Sequence, residues 1–525
     1  MIAERFAAWP EIGRWITALF ADKTMAELVA EGQAHGVPIA AVLTPAQALA
    51  AEHFRAVGAL APLHLADGVT VPAPVGYYVV DGQRAGLRHP APAPGSAEPD
   101  WAPRTVAVPV PGARRDGYPF TGLRILDLGI IVAGGEAGRL FGDLGAEIIK
   151  VESAAYPDGL RQARVGDAMS ESFAWTHRNN LGLGLDLRSA AGKRIFGALV
   201  RQADAVLANF KPGTLDALGF SAEQLHALNP RIVLAQSSAF GDSGPWRTRM
   251  GYGPLVRATT GATRLWTAPD AAAGQRHPFY DATTVFPDHV VGRLTAIGAL
   301  AALIRRDREG DGAGVHISQA EAVINQLDTR YVAEAAAQLT AIRPDTALHA
   351  VSPCDGDDEW CVVSIRTDAD WRALTTVLGR PPLADDPRFA DGAARSAHRT
   401  ELIAAISAWT RGRSPQQAAA VLQAAGVPAG PMNRAPDIPE DPQLAHRGVY
   451  RDMTHPLIDH VLPAETGPAP FRHIPPAAQR PAPVPGQDTR EIAKNLLGLA
   501  PADVEALIAD GVLFADDAPD PQGRR

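Results

Sequence analysis

The chain has 525 residues, a net charge of −9 at pH 7 and a hydrophobic fraction of 46%. This length suggests about three domain-sized units, and the apolar fraction is sufficient for large buried cores. The acidic balance argues against nucleic acid or an anionic membrane as the main partner. No apolar run approaches the ~20 residues that span a bilayer, and the N-terminus lacks the basic flank and apolar run of a secretory signal. We therefore expect a cytoplasmic globular protein.

Two cysteines occur in the sequence, Cys354 and Cys361. A lone pair with six residues between its members is neither a disulfide framework nor a set of zinc ligands. We expect two ordinary thiols in a reducing compartment and no metal site.

Two proline-rich stretches, 90–111 and 468–485, indicate extended connectors, because proline is excluded from helix interiors and central strands. The sequences around them are similar at a constant offset of 390 positions, which aligns Thr24 with Ser414, Gly36–Pro38 with Gly426–Pro428 and Gly58 with Gly448. The first pair precedes two helical patterns as expected N-caps. Coincidence between alanine-rich amphipathic segments is the alternative. We interpret the similarity as a partial repeat, in which the tail of one copy precedes a complete second copy.

Residues 122–152 predict a βαβ unit with a glycine-rich first turn. The predicted elements are a strand at 123–128, a helix at 136–144 after Gly134-Gly135, and a strand at 146–151. Helices at 190–202 and 222–227 then alternate with strands at 205–207 and 232–235. This alternation predicts an α/β fold with an open, mostly parallel sheet.

Glu152 at the end of the second predicted strand suggests a dinucleotide site, but the preceding loop does not fit one. The stretch 129–135 places Ile130, Ile131 and Val132 where the fingerprint needs glycine for close approach to a pyrophosphate. We do not expect NAD binding. Loop 130–135 can still contact a ligand, because open α/β sheets bind ligands at this edge. The sequence has no P-loop, nucleophile elbow or metalloprotease motif.

A series of motifs gives the clearest indication of a family. They are, in chain order, the run 123–153, Asn179-Asn180, Leu185–Arg188, Ala203–Gly213, Leu218–Phe220, Asn229–Val233, Phe240–Pro245, Pro287-Asp288, Ile297–Leu303, Asp386–Phe389 and Gly426–Pro428. This set resembles the class III CoA-transferases, the CaiB/BaiF group, which includes formyl-CoA, carnitine and succinyl-CoA transferases. The resemblance covers roughly 120–515. The first hundred residues resemble the late small-domain segment of the same family.

The resemblance implies a Rossmann-like large domain at 116–325, a smaller α/β domain at 326–445 and a return to the large domain at 446–525. Residues 1–110 would form the partial repeat with its linker. Two-copy fusions exist in the family, and this chain resembles one that lacks its first large domain. The resemblance also implies an interlocked homodimer, acyl-CoA and a carboxylic acid as substrates, and no tightly bound cofactor.

Asp288 occupies the position of the family's active-site aspartate, at the start of the helix before Gly298. The resemblance implies that its carboxylate attacks the donor thioester, giving a mixed anhydride and then an aspartyl-CoA thioester. A helix N-terminus would favour its ionisation and offer N–H groups to an oxyanion. From the spacing alone, Asp288 is equally a helix N-cap.

By family position, the CoA-binding candidates are Ile131, Val132 and Ala133, then Leu185 and Arg188, then Asn209, Phe210 and Lys211. Arg188 and Lys211 are the cations among them and are candidates for phosphate contacts, with solvated surface cations as the alternative. Formyl-CoA transferase-like sequences have glutamine where Val132 stands and arginine where Ser153 and Ala217 stand. Candidate replacements for the two arginines are Arg161, Arg164 and Arg249.

Three other functions compete with CoA transfer. An α-methylacyl-CoA racemase shares the fold but needs a His-Asp pair where this chain has Gly251-Tyr252-Gly253, and His289 lies beside Asp288 in sequence rather than opposite it. A bifunctional enzyme would cleave or hydrate the transferred acyl-CoA. A non-catalytic member would support another subunit. We expect a class III CoA-transferase that uses Asp288 as its nucleophile.

Overall fold

The computed structural model describes residues 2–65, 68–89, 91–98, 100–101, 117–164, 167–266, 285–337, 339 and 347–516. The chain divides into two compact units, one formed by Met1–Thr340 with Val449–Arg525 and the other by Ala341–Gly448. The domain boundaries expected from the sequence remain predictions. The expected connector at 90–111 lies largely outside the described residues.

The strands are β1 (Leu60–His64), β2 (Thr70–Pro74), β3 (Tyr78–Val80), β4 (Gln83–Arg84), β5 (Arg124–Asp127), β6 (Glu147–Glu152), β7 (Asn180–Leu185), β8 (Ala205–Ala208), β9 (Val233–Ser238), β10 (Ala313–Ser318), β11 (Leu348–Pro353), β12 (Trp360–Ile365), β13 (Ala429–Pro431), β14 (Tyr450–Met453), β15 (Leu462–Glu465) and β16 (Leu513–Phe514).

The helices are α1 (Ile2–Phe20), α2 (Met25–Ala34), α3 (Pro45–Ala50), α4 (Glu52–Ala56), α5 (Ile131–Asp143), α6 (Glu171–Thr176), α7 (Ala190–Val200), α8 (Thr214–Leu218), α9 (Ala222–Leu228), α10 (Gly253–Thr260), α11 (Phe286–Glu309), α12 (Gln319–Gln326), α13 (Asp328–Ala337), α14 (Asp368–Val377), α15 (Gly392–Ala397), α16 (Arg399–Thr410), α17 (Pro415–Ala424), α18 (Pro442–His446), α19 (Thr489–Asn495) and α20 (Pro501–Ala509).

The larger unit is built on a nine-stranded sheet with the order β16-β7-β6-β5-β8-β9-β10-β3-β4. Strands β5 to β10 are parallel, and β3, β4 and β16 are antiparallel to their neighbours. From β5 the chain adds β6 and β7 on one side, then crosses to add β8, β9 and β10 on the other. The change of direction falls between β5 and β8, where open α/β sheets form a ligand crevice. The predicted α/β class with an open, mostly parallel sheet is confirmed.

The sheet is buried on both faces, which explains its apolar strand sequences. In β5, Leu126 joins the core formed with α7, α9, α19 and α20. Its neighbour Ile125 joins the core formed with α5 and α11 on the opposite face. Helix α11 has the length and apolar composition of a membrane span, but 56% of its most apolar window is buried inside the fold. It therefore packs as a core helix.

One element differs from the sequence prediction where it affects the site. The predicted helix at 136–144 begins five residues earlier, at Ile131, so Gly134 and Gly135 lie inside α5 rather than in a turn before it. A Cβ on Gly134 would lie 2.4 Å from the Gly129 Cα. The glycine thus allows the first turn of α5 to pack directly against the end of β5.

The N-terminal segment is part of the larger unit. Strand β3 adds to the sheet beside β10, and the Tyr78 hydroxyl donates to the Leu294 carbonyl at 3.0 Å. Phe54 and Val71 share a core with Trp246 and Tyr331. Because β3 pairs with β10, the backbone groups on that side of β10 are hydrogen-bonded rather than left unpaired at a sheet edge.

Several features of this segment have counterparts 390 positions later. Thr24 and Ser414 both cap helices through a capping box, which agrees with the predicted N-caps. Gly36 and Gly426 both have positive φ, at 68° and 83°. The antiparallel pairs β1–β2 and β14–β15 also begin at Leu60 and Tyr450, one offset apart.

The smaller unit pairs β11, β12 and β13 into an antiparallel sheet covered by helices. Its core includes Cys354, Cys361, Trp371, Leu374 and Leu422. Both cysteines are free thiols.

Candidate active site

The loop that follows β5 is fixed at the crevice between β5 and β8. The Asn209 Oδ1 accepts a hydrogen bond from the Ile130 N–H at 2.8 Å, and its Nδ2 donates to the Ile130 carbonyl at 2.9 Å. The Asp158 Oδ1 accepts from the Ile131 N–H at 3.0 Å. Ile131 has a φ of 55°, a strained conformation for a β-branched residue, and 45% of it is exposed. A β-branched side chain is therefore held outward at the ligand edge of the sheet.

A cluster of buried charged side chains contacts this loop from inside the fold. The Lys150 Nζ donates to the Asp158 Oδ2 at 2.9 Å and to the Gly129 carbonyl. Burial raises the pKa of Asp127 to about 6 and lowers the pKa of His177 to about 4. Burial opposes the charge of Lys150, but the carboxylates of Asp127 and Asp158 raise its pKa overall. The ammonium group therefore stays charged and holds the loop through its donors.

Asp288 lies in the first turn of α11, whose N-cap position is Val285. The alternative reading of Asp288 as the helix N-cap is wrong, because the helix begins two residues before it. Only 9% of Asp288 is exposed, and its Oδ2 has no hydrogen-bond partner among the described residues. Burial raises the pKa of Asp288, while the Gln319 side chain and the Gly253 N–H act to lower it. The carboxylate is thus poorly solvated and faces two hydrogen-bond donors.

An open cavity of about 390 Å³ lies at the first turn of α11, the turn that carries Asp288. Its wall includes Val132 from α5, and Val285 and His289, which flank Asp288 in α11. It is completed by Leu160, Glu171, Ser172, Trp175, Thr176, Leu462 and Pro463. A cavity of this size lies within the range of small-molecule sites.

The two helices that line the cavity are in close contact. A Cβ on Gly292 would lie 2.7 Å from the Ala133 carbonyl oxygen and 2.7 Å from the Glu136 Cβ. The His289 Nδ1 is 3.7 Å from the Glu136 Oε2. Burial acts to raise the pKa of Glu136, but His289 and Arg139 hold it at about 2. The Glu136 carboxylate is therefore ionised, and it lies on the side of His289 rather than at the Asp288 carboxylate.

The predicted site residues fall into two groups. Val132 lines the cavity, and Ala133 and Asp288 are sequence neighbours of lining residues. Asn209 fixes the loop that carries Ile131. Phe210 packs against the core formed on α7 and α9, and Lys211 is exposed.

Leu185 and Arg188 lie farther along the same edge, after β7. Leu185 is fully buried and pairs with Leu513 in β16, so neither its side chain nor its backbone is open to a ligand in this structure. The exposed guanidinium of Arg188 stacks over the Tyr156 ring at 4.1 Å. The roles of these residues in binding CoA remain predictions.

The three candidate replacement arginines differ in their surroundings. The Arg161 guanidinium pairs with both oxygens of the Glu152 carboxylate and stacks over the Phe173 ring at 3.7 Å, so it is already neutralised. Arg249 is half-buried over the Trp246 ring at 4.7 Å. Arg164 is exposed. Arg161 is thus engaged within the protein, and a phosphate contact by any of the three arginines remains a prediction.

Sequence reasoning missed Gly253 and Gln319. A Cβ on Gly253 would lie 2.3 Å from the Asp288 Oδ2, so only glycine fits there. Gln319 begins α12 directly after β10, and 4% of it is exposed. Their positions gave a weak signal, because Gly253-Pro254 is a helix start and Gln319 follows a strand at its carboxyl end. Neither pattern indicates contact with Asp288.

Among the described residues, no group of three or more His, Cys, Asp or Glu side chains could hold a metal ion.

Comparison with known structures first defines the class. A CaiB/BaiF family protein from Brucella suis superimposes with a TM-score of 0.63 and 29% sequence identity, over 72% of this chain and 99% of that one. The model of CoA-transferase family III matches residues 2–98 and 120–489. The chain belongs to CoA-transferase family III.

Two relatives illustrate the range of similarity. A protein of Mycobacterium tuberculosis named "Probable CoA-transferase Rv1866" is 66% identical over 517 residues, which are 98% of this chain and 65% of that relative. The chain therefore spans about two thirds of the relative's length. The succinyl-CoA–D-citramalate CoA-transferase of Chloroflexus aurantiacus is 32% identical over 416 residues, which are 76% of this chain and the whole of that relative.

Proposed function

We propose that the protein moves CoA from an acyl-CoA thioester to a carboxylic acid, with Asp288 as the covalent nucleophile. The observation that carries this proposal is the Asp288 carboxylate itself, which is buried and has one oxygen without a partner among the described residues. Val285 and His289, from the same turn of the chain, line an open cavity. Membership of CoA-transferase family III supports the same reaction.

Transfer begins when a carboxylate oxygen of Asp288 attacks the carbonyl carbon of the acyl-CoA, and the carbon–sulfur bond breaks. The CoA thiolate then attacks the carbonyl carbon of Asp288 in the mixed anhydride. The donor acid leaves, and an aspartyl-CoA thioester remains. The acceptor acid repeats the steps in reverse. A poorly solvated carboxylate suits this chemistry, because water does not have to be removed from it at each attack.

The loop and the edge of the sheet suggest how CoA binds. Ile131 is exposed and Val132 half-buried at the crevice, and Asn209 fixes the backbone of the preceding residue, Ile130. Arg188 and Lys211 are exposed at the ends of the loops after β7 and β8. We assign the phosphates of CoA to these cations and the acyl end to the cavity beside Val132.

We further propose a cytoplasmic homodimer without a tightly bound cofactor. We also propose that residues 1–110 are a partial repeat of the family's late segment. The paired capping boxes at Thr24 and Ser414 and the equivalent strand pairs support the repeat. Light scattering after gel filtration tests the oligomeric state, and a monomer at all concentrations would contradict it.

Racemisation has less support from the site. It needs two groups that exchange a proton across one carbon. Gly253 lies against Asp288 where an opposing acid or base would be needed, and His289 lies toward Glu136.

The proposal is tested with succinyl-CoA and D-citramalate, the substrates in the name of the Chloroflexus relative, followed by other acyl-CoA and acid pairs. Asp288→Asn should abolish formation of the new thioester and of a hydroxylamine-trapped enzyme adduct, both measured by mass spectrometry. Asp307→Asn, an exposed carboxylate on the same helix, is the control and should retain both. Full turnover by Asp288→Asn would refute the nucleophile.

A further inference from the structure

Three helices meet at Asp288. Helix α10 begins at Gly253, α11 carries Asp288 in its first turn, and α12 begins at Gln319. The three helices pack against one another. The Ser318 hydroxyl caps α12 by accepting from the Glu321 N–H at 3.3 Å, which fixes the turn that carries Gln319.

The Gln319 amide is a buried donor without a partner. Gln319 is 96% buried, and its Nε2 has no hydrogen-bond partner among the described residues. The same holds for the Asp288 Oδ2. The Gln319 amide acts to lower the pKa of Asp288, yet no hydrogen bond joins Nε2 to Oδ2 in this structure. A buried polar atom without a hydrogen-bond partner lowers the stability of the fold, so the arrangement needs a reason.

We propose that the Gln319 Nε2 and the Gly253 N–H together bind the oxygen of Asp288 that becomes an oxyanion during transfer, which makes Gln319 a catalytic residue. This inference rests on the proposed function. Without substrate, the Gln319 Nε2 has no acceptor. Its acceptor is the Asp288 oxygen, which moves and gains negative charge only when the Asp288 carbonyl carbon is attacked. Preorganised donors of this kind stabilise the transition state more than the ground state.

The step balances without a proton. In the mixed anhydride, the CoA sulfur forms a bond to the Asp288 Cγ, and the carbonyl electrons move to the oxygen that is not shared with the acyl group. Gln319 and Gly253 donate to this oxyanion. When the carbonyl re-forms, the bond from Cγ to the shared oxygen breaks, and the acid leaves as a carboxylate. A neutral amide suits the role, because a cation beside Asp288 would weaken it as a nucleophile.

The test measures the rate at which succinyl-CoA produces the CoA adduct on the Asp288 peptide, by rapid quench and mass spectrometry. Gln319→Met keeps the volume and removes the donor, and it should slow adduct formation about 10²–10³-fold with little change in KM. Gln326→Met, an exposed glutamine on the same helix, should behave as the unmodified chain. Adduct formation by Gln319→Met at the unmodified rate would overturn the inference.

Two further variants separate the possible failures. Asp288→Asn must give no adduct, and an adduct there would refute the proposed function itself. In Gln319→Glu, the rate of adduct formation relative to the unmodified enzyme should rise as pH falls. A protonated Glu carboxyl can donate a hydrogen bond to the Asp288 oxyanion, whereas an ionised one repels it. A loss of rate in Gln319→Glu that is the same at every pH would indicate a packing role and would also overturn the inference.

Discussion

Asp288 is a carboxylate whose burial opposes its own ionisation. Desolvation raises its pKa, and the donors of Gln319 and Gly253 offset this effect only in part. A carboxylate placed in this way lowers the stability of the folded chain at neutral pH. Such a loss of stability is common where a residue is kept for function, which is consistent with the proposed role of Asp288.

We expect Asp288→Asn to raise the thermal unfolding midpoint at pH 7. A carboxyl group with a raised folded-state pKa contributes stability below the unfolded pKa of about 3.9, and this contribution is lost as pH rises through the folded pKa. Asparagine carries no charge, so the advantage of the variant should shrink as pH falls toward that range. Unfolding midpoints measured from pH 8 to pH 4 check this trend.

Asp307→Asn is the matched control, because Asp307 is exposed on the same helix and makes a surface pair with Arg231, while its buried partner Arg306 keeps a second carboxylate, Asp204. Surface pairs contribute about 0–1 kcal/mol, so its effect should be small throughout. An Asp288→Asn midpoint below that of the unmodified chain at pH 7 would contradict the role assigned to burial.

At the scale of elements, the contact between α5 and α11 brings the first turn of α5 close to the first turn of α11, which carries Asp288. Gly292 has no side chain where the Ala133 carbonyl and the Glu136 Cβ approach. Because Val132 and His289 project from these two helices into one cavity, their spacing sets its shape. Small residues at helix contacts allow such close approach.

We expect Gly292→Ala to lower the stability of the chain by about 1–3 kcal/mol, because the added methyl group overlaps backbone and Cβ atoms that cannot rotate away. Activity should fall as well, because the helices must separate. Chemical unfolding and turnover with succinyl-CoA measure the two effects.

Gly197→Ala is the comparison, because a Cβ there would lie 3.6 Å from the Leu228 Cδ1, at ordinary contact distance. Removing a helix glycine without a clash should leave stability unchanged or raise it by about 0.5–1 kcal/mol. Equal effects of the two substitutions would mean that the close approach at Gly292 does not matter.

At the scale of the larger unit, the N-terminal segment packs in the same compact unit as Asp288. Arg84 in β4 pairs with Glu321 in α12 at 2.5 Å, and both side chains are largely buried. Glu321 lies two residues after Gln319. Arg84 also donates to the Gly76 and Val57 carbonyls, so it ties together three parts of the N-terminal segment. The integrity of α12 therefore depends on residues that precede the main sheet in sequence.

We expect Arg84→Met to destabilise the chain by about 3–5 kcal/mol, because it leaves the Glu321 carboxylate buried without its cation. The double variant Arg84→Met with Glu321→Met should lose less than the sum of the two single variants. Urea unfolding of all four proteins completes the cycle.

Arg305→Met provides the matched control. It breaks the exposed pair of Arg305 with Asp81, at 2.6 Å, which also joins the N-terminal segment to α11. A surface pair of this kind should contribute about 0–1 kcal/mol. If Arg84→Met costs no more than Arg305→Met, the buried pair does not anchor the segment.

The sequence by itself determined the class of fold, because apolar strands that alternate with helices are buried when the helices cover both faces of a mostly parallel sheet. It also determined the family, since the ordered motifs around Asp288 are specific. It predicted the start of α5 too late, because the packing of Gly134 on Gly129 is not visible in a linear pattern.

Only the tertiary structure decided what surrounds Asp288. Gly253 and Gln319 are 35 residues before and 31 residues after it in the sequence. They meet it because three helices pack at the carboxyl edge of one sheet. Likewise, Arg161 is neutralised by a carboxylate on a neighbouring strand, and Leu185 is covered by a strand from the end of the chain. Local sequence specifies helices and strands through short-range contacts, whereas burial and pairing depend on which distant elements pack together.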